Sequence, residues 1–110
     1  MSDRALPPIR SSREHEPDLE PEIDAFVLSL GELVDSFQDA EAAGGVAALR
    51  ELAARLETRA RELGYEPVAA SAQRIAGACG ERNPEAMRKS VQDLTEVATR
   101  VRRGHRSAAA

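Results

Sequence analysis

The 110-residue sequence contains one cysteine, no tryptophan and only three aromatic residues, Phe26, Phe37 and Tyr65. With Cys79 alone, an internal disulfide and a cysteine-rich zinc site are both excluded. The scarcity of large rings means that a core must be built from Leu, Val, Ile and alanine. That composition suits close helix packing better than a β-sandwich. No apolar run approaches the roughly 20 residues that span a bilayer, so no membrane partner is expected. Met1-Ser2-Asp3-Arg4 lacks the apolar stretch of a signal peptide, and a cytoplasmic location is the expectation. Period-2 alternation is missing as well, and with it any expectation of strands.

A basic surplus is also lacking. Fifteen basic and 19 acidic residues leave a net charge of −4, which argues against nucleic acid as the partner. Lys89 is the only lysine, so nearly all the positive charge is arginine, which reads as genome composition and not as chemistry, although arginine is also the usual phosphate-binding residue. The hydrophobic fraction of 42% and the charged fraction of 31% are ordinary for one folded domain.

What is present is helical periodicity. Residues 1–19, rich in Pro, Arg, Ser and Glu, show little of it and are expected to form a tail or irregular lead-in. A first helix should start near Pro21, with Ile23, Phe26, Val27, Leu30, Leu33, Val34 and Phe37 on one stripe, and end at Gly44-Gly45. A second carries Val46, Leu49, Leu52, Ala53, Leu56, Ala60 and Leu63, with Gly64 beyond its end. A third begins around Pro67 and stops at Gly80, burying Val68, Ala72, Ile75, Ala76 and Cys79. The fourth opens on Asn83-Pro84-Glu85, a cap, a first-turn proline and a dipole-matched carboxylate. Its stripe runs from Met87 to Val101, and Gly104 is expected to end it, leaving 104–110 as a C-terminal tail. Residues 20–103 are thus expected to form an all-α, antiparallel up-down four-helix bundle.

Chemistry-bearing constellations are few. Gly44-Gly45 has no following lysine or preceding strand, so it is no phosphate loop. His15 and His105 fall in the two expected tails and are expected to be solvated, without catalytic or metal-binding partners. Cys79, on an apolar stripe, is expected to be a buried small hydrophobe. No catalytic, metal-binding or cofactor-binding residue is assigned, and no enzyme activity is expected.

The second helix and its exit, Leu52-Ala53-Ala54-Arg55-Leu56-Glu57-Thr58 through Leu63-Gly64-Tyr65, carry the most information. Leu52, Ala53, Leu56, Leu63, Gly64 and Tyr65 fall in register with the signature around the phospho-accepting histidine of histidine-phosphotransfer (HPt) domains, which this stretch resembles. The resemblance extends over about residues 9 to 100. It implies an HPt-like bundle that acts in two-component or phosphorelay signalling. The departures lie at its chemical centre. Ala54 stands where the histidine is expected, Glu57 where a lysine is expected, and Thr58 where a glycine is expected. Arg59, Arg61 and Glu62 replace small residues.

Helix geometry places these positions independently of the resemblance. At 100° per residue the apolar positions of the second helix fall within about a 100° arc, and Ala54 lies roughly 150° from its centre. Ala54 should therefore face solvent, with Arg50, Glu57, Thr58 and Arg61 around it. Alanine has no nucleophile to accept a phosphoryl group. The expectation is a non-catalytic HPt-like interaction domain, monomeric or weakly dimeric. It would dock a response-regulator receiver domain or a histidine kinase through Arg50, Ala54, Glu57, Thr58 and Arg61. The alternative is a helical assembly or scaffold module, unrelated to phosphorelay, whose alanine-rich faces permit close helix approach.

Overall fold

The structure is a computed structural model that describes residues 6–109. A single 3-10 turn, Pro17–Leu19, leads into α1 (Glu20–Ala42), followed by α2 (Val46–Glu62), α3 (Glu66–Gly80) and α4 (Pro84–Ala109). The described residues include no strand, and the chain forms the all-α antiparallel four-helix bundle. None of these helices is long and apolar enough to cross a membrane.

The stripes anticipated from periodicity are largely the ones buried. Phe26, Leu30 and Phe37 of α1 meet Leu49, Leu56 and Ala60 of α2, Val68 and Ile75 of α3, and Leu94 and Val101 of α4 in one core. The helices contact in the ring α1–α2–α3–α4, and the two diagonal pairs do not approach. α2 and α3 pack most extensively, as small buried residues such as Ala53, Ala60, Ala69 and Ala72 permit. The seam between α1 and α2 is the least closed, and Leu33 and Leu52 beside it are only partly buried. The molecule is flat, measuring 41 × 37 × 19 Å.

α1, α2 and α3 end in the same way. In each, the residue after the C-cap takes a left-handed conformation: Gly44 (φ 71°), Gly64 (φ 80°) and Arg82 (φ 53°). In each, the next amide reaches back to a carbonyl in the last turn: Gly45 to Ala40 (2.9 Å), Tyr65 to Ala60 (2.8 Å) and Asn83 to Ala78 (3.2 Å). These are Schellman motifs, which satisfy the orphan carbonyls of a helix end and reverse the chain within three residues. α3 ends at Gly80, as expected, and the left-handed residue beyond its C-cap is Arg82. The α4 start is as anticipated, with the Ala86 amide donating to Asn83 Oδ1 at 3.1 Å.

Two expectations about the termini need correction. Gly104 does not end α4, which continues to Ala109, so residues 104–109 are helix and not tail. Nor do residues 6–16 hang free. They form a strap across one end of the bundle, and Ile9 joins the core. The Ile9 amide donates to Arg100 O at 3.0 Å, while Arg100 Nε donates to Pro7 O and Arg103 Nη2 to Leu6 O. At the other side of the strap, Arg13 Nη1, Ser11 Oγ and the Ser12 amide donate to Glu62 O, Leu63 O and Gly64 O. Three successive carbonyls at the end of α2 thus find their donors in the strap. Both docking points are glycines because the strap comes too close for a side chain. A Cβ on Gly104 would lie 2.2 Å from Ile9 O, and one on Gly64 would lie 2.7 Å from Ser12 Oγ. Residues 1–5 of the anticipated tail, and Ala110, fall outside the described residues.

Candidate functional site

α2 exposes the surface on which the sequence places its candidate residues. Ala54 and Thr58 lie on the solvent crest of the helix, and Thr58 Oγ1 donates to Ala54 O at 3.2 Å. This bond turns the hydroxyl inward along the helix, so the crest presents methyl groups more than donors. Arg50, Glu57 and Arg61 occupy the flank toward α3. Arg50 reaches the end of that helix, with Nη2 3.6 Å from where a Cβ on Gly80 would sit. Arg61 donates to Glu57 and lies 3.6 Å from Glu66 at the start of α3. The bond to Glu57 raises the Arg61 pKa above its ordinary value. The five candidate residues therefore share one helix surface, but Glu57 and Arg61 are engaged with each other.

The opposite flank of α2, toward α1, was not anticipated. Ala54, Arg55, Thr58, Arg59 and Glu62 outline a shallow depression. Across Arg55 and Arg59 it continues into a groove of about 370 Å³ along the open α1/α2 seam, floored by Phe26, Leu33, Leu52 and Leu56. Arg59 spans the groove to Glu22 of α1 at 3.4 Å and also pairs with Glu62 at 3.2 Å. Arg55 pairs with Glu51 at 2.8 Å and remains largely exposed. Leu52 had pointed to this flank, since it lies at the edge of the apolar arc nearest Arg55 and Arg59. Which neighbouring helix stands beside that edge depends on the packing of the whole bundle.

Neither histidine approaches Ala54. His15 is exposed on the strap, as expected. His105 is not a solvated tail residue: α4 carries it to α1, where Nε2 lies 3.1 Å from Asp24 Oδ1. Cys79 is buried, and that burial pushes its thiol pKa up, away from the thiolate needed for reactivity. Among the described residues, no three His, Cys, Asp or Glu side chains converge as a metal site. Comparison of the chain with protein-family models, curated proteins and solved structures finds no match.

Proposed function

We propose that the chain is a non-catalytic docking domain that offers the α2 surface around Ala54 to the receiver domain of a response regulator. It would act in the manner of a histidine-phosphotransfer domain that has lost its acceptor. One observation carries the reading: Ala54 is exposed mid-helix, on a crest without an imidazole, directly beside an open apolar seam. A helix surface that is accessible, shallow and bordered by arginine and leucine has the ingredients of a protein-docking patch. Arg55 and Arg59 would face the acidic phosphorylation pocket of such a partner, while Leu33 and Leu52 would lose solvent contact. The resemblance in register along Leu52, Ala53, Leu56, Leu63, Gly64 and Tyr65 supports the choice of partner. A cytoplasmic setting follows from that choice. The role would be sequestration, competition or scaffolding, since no phosphoryl group can be passed on.

Isothermal titration of the full chain against receiver domains of the same organism, with and without a phosphoryl mimic, tests this directly. The expected result is saturable binding to at least one receiver, weakened about tenfold or more by Arg55→Glu with Arg59→Glu. Absence of binding to every receiver at about 500 μM, corresponding to a ΔG weaker than about −4.5 kcal/mol, would sink the reading.

A helical assembly module is the second reading, and Leu28 is the observation that favours it. This residue is 82% exposed on the outer face of α1, where an apolar side chain has no structural task within the monomer. Light scattering over a range of concentrations decides. A stable dimer that Leu28→Lys dissolves would favour assembly over receiver docking.

A further inference from the structure

The groove along the α1/α2 seam is open and apolar. Its volume is about 370 Å³, its floor is Phe26, Leu33, Leu52 and Leu56, and both Leu33 and Leu52 keep part of their surface in solvent. Arg55 and Arg59 stand along its α2 rim. Such a groove fits a helix whose crest offers an apolar side chain to the floor and carboxylates to the rim.

The chain displays a helix of that chemistry on its own surface. Leu28 projects from the outer face of α1, and Leu6 of the strap is the only other exposed large hydrophobic residue among those described. Glu32, Asp35 and Asp39 follow at i+4, i+7 and i+11, so they continue the stripe that Leu28 begins. All three are exposed, and none forms an ion pair with another described residue. The crest of α1 is thus a leucine followed by a row of carboxylates, on a helix without a basic residue. Crest and groove complement each other in shape and in charge. They cannot meet within one molecule, because Phe26 and Leu33 turn the inner side of the same helix into a wall of the groove.

We propose that two copies of this chain associate reciprocally, the α1 crest of each laid on the α1/α2 groove of the other, with Leu28 entering the groove. Crest and groove share α1, so a two-fold axis beside that helix places both contacts in one isologous interface and closes the assembly as a dimer. Leu28 would lose water together with Leu33 and Leu52, while Glu32 and Asp35 would reach the two arginines on the facing rim. Arg55 already pairs with Glu51, and Arg59 with Glu22 and Glu62, but these pairs are solvent-exposed and contribute little, so they exchange readily. A dimer of this kind rests on the assembly reading and gives it a definite interface. A receiver domain and a second copy would contend for one groove, and self-association would withdraw the docking surface as concentration rises.

Sedimentation equilibrium of the full chain tests the association, and cysteine cross-linking tests the interface. The expected result is a monomer–dimer equilibrium with a dissociation constant of about 10–100 μM. Leu28→Lys should weaken it about tenfold or more, and so should Arg55→Glu with Arg59→Glu. Leu28 and both arginines are exposed, so these variants should keep the fold, which circular dichroism verifies. Leu28→Cys mixed with Leu52→Cys should give a disulfide-linked dimer of the two variants, whereas Leu28→Cys alone should not cross-link, since Cys79 is buried. A chain that stays monomeric at about 1 mM overturns this proposal and the assembly reading together. A dimer in which Leu28→Cys cross-links to itself, or which Arg55→Glu with Arg59→Glu leaves unchanged, overturns the proposed interface and leaves assembly standing. Growth beyond the dimer overturns the reciprocal closure.

Discussion

At the scale of the residue, glycines in this chain do opposite things, and substitution separates them. Gly104 is buried in α4 against Ile9 O, so a methyl group there must lift the strap from the bundle. Gly104→Ala should cost about 2–3 kcal/mol in denaturant unfolding, the usual scale for overpacking against backbone. Gly77, in the middle of α3, has open space around its Cβ position, and Gly77→Ala should stabilise by about 0.5–1 kcal/mol through helix propensity alone. Opposite signs from the same substitution would confirm where the strap docks, and equal signs would contradict it. Tyr65 offers a second test, because it is the only tyrosine and there is no tryptophan. Tyrosinate absorbance therefore reports this one hydroxyl. It should titrate near pH 12 and not near 10, the ordinary value. The folded-state pKa is raised, so the associated stability is intact below pH 10 and lost as pH climbs from 10 toward 12. Tyr65→Phe should remove that alkaline slope.

At the scale of the element, the helices were legible because each buries a stripe at the 3.6-residue period, and the junction signals between them worked. Gly44 and Gly64 stand where a left-handed residue is needed, and Asn83-Pro84 begins α4. Gly104 misled for a physical reason. A glycine marks a left-handed stop or a close approach equally well, and only the packed structure distinguishes them. The strap was illegible because Ile9 and Ser11 are isolated positions in a polar, proline-rich stretch, and neither forms a periodic pattern. The exposure of Ala54 followed from the helical wheel, whereas the part played by Arg55 and Arg59 required knowing that α1 lies beside them. The α3–α4 turn gives a prediction at this scale. Arg82 adopts φ 53°, a conformation that costs a residue with a side chain about 1–2 kcal/mol. Arg82→Gly should stabilise by about 0.5–1 kcal/mol, because glycine relieves that strain at some entropic cost. Asn83→Ala, which removes the bond to the Ala86 amide, should destabilise by about 1 kcal/mol. Thermal melts of the two variants should move in opposite directions.

At the scale of the whole molecule, charge is divided between helices in a way that bears on docking. α1 carries seven carboxylates and no basic residue, whereas α2 places Arg50, Arg55, Arg59 and Arg61 on its outer surface. An acidic partner is repelled by one side of the open seam and attracted by the other, so it should settle on α2 with a salt-sensitive association rate. Docking of this kind leaves the question of transfer, which the Ala54 position can answer. Incubated with a phosphorylated receiver domain, the protein should acquire no acid-labile label, because the α2 crest holds no histidine and His15 and His105 lie elsewhere. Ala54→His restores an exposed imidazole at the crest but leaves Glu57 one turn away, where its carboxylate opposes the incoming phosphoryl group. The single substitution is therefore expected to bind the receiver and remain unlabelled. Label on Ala54→His would mean that the nucleophile alone was lost and that the surrounding surface still supports transfer. Label on His15 or His105 of the unaltered protein would overturn the non-catalytic reading.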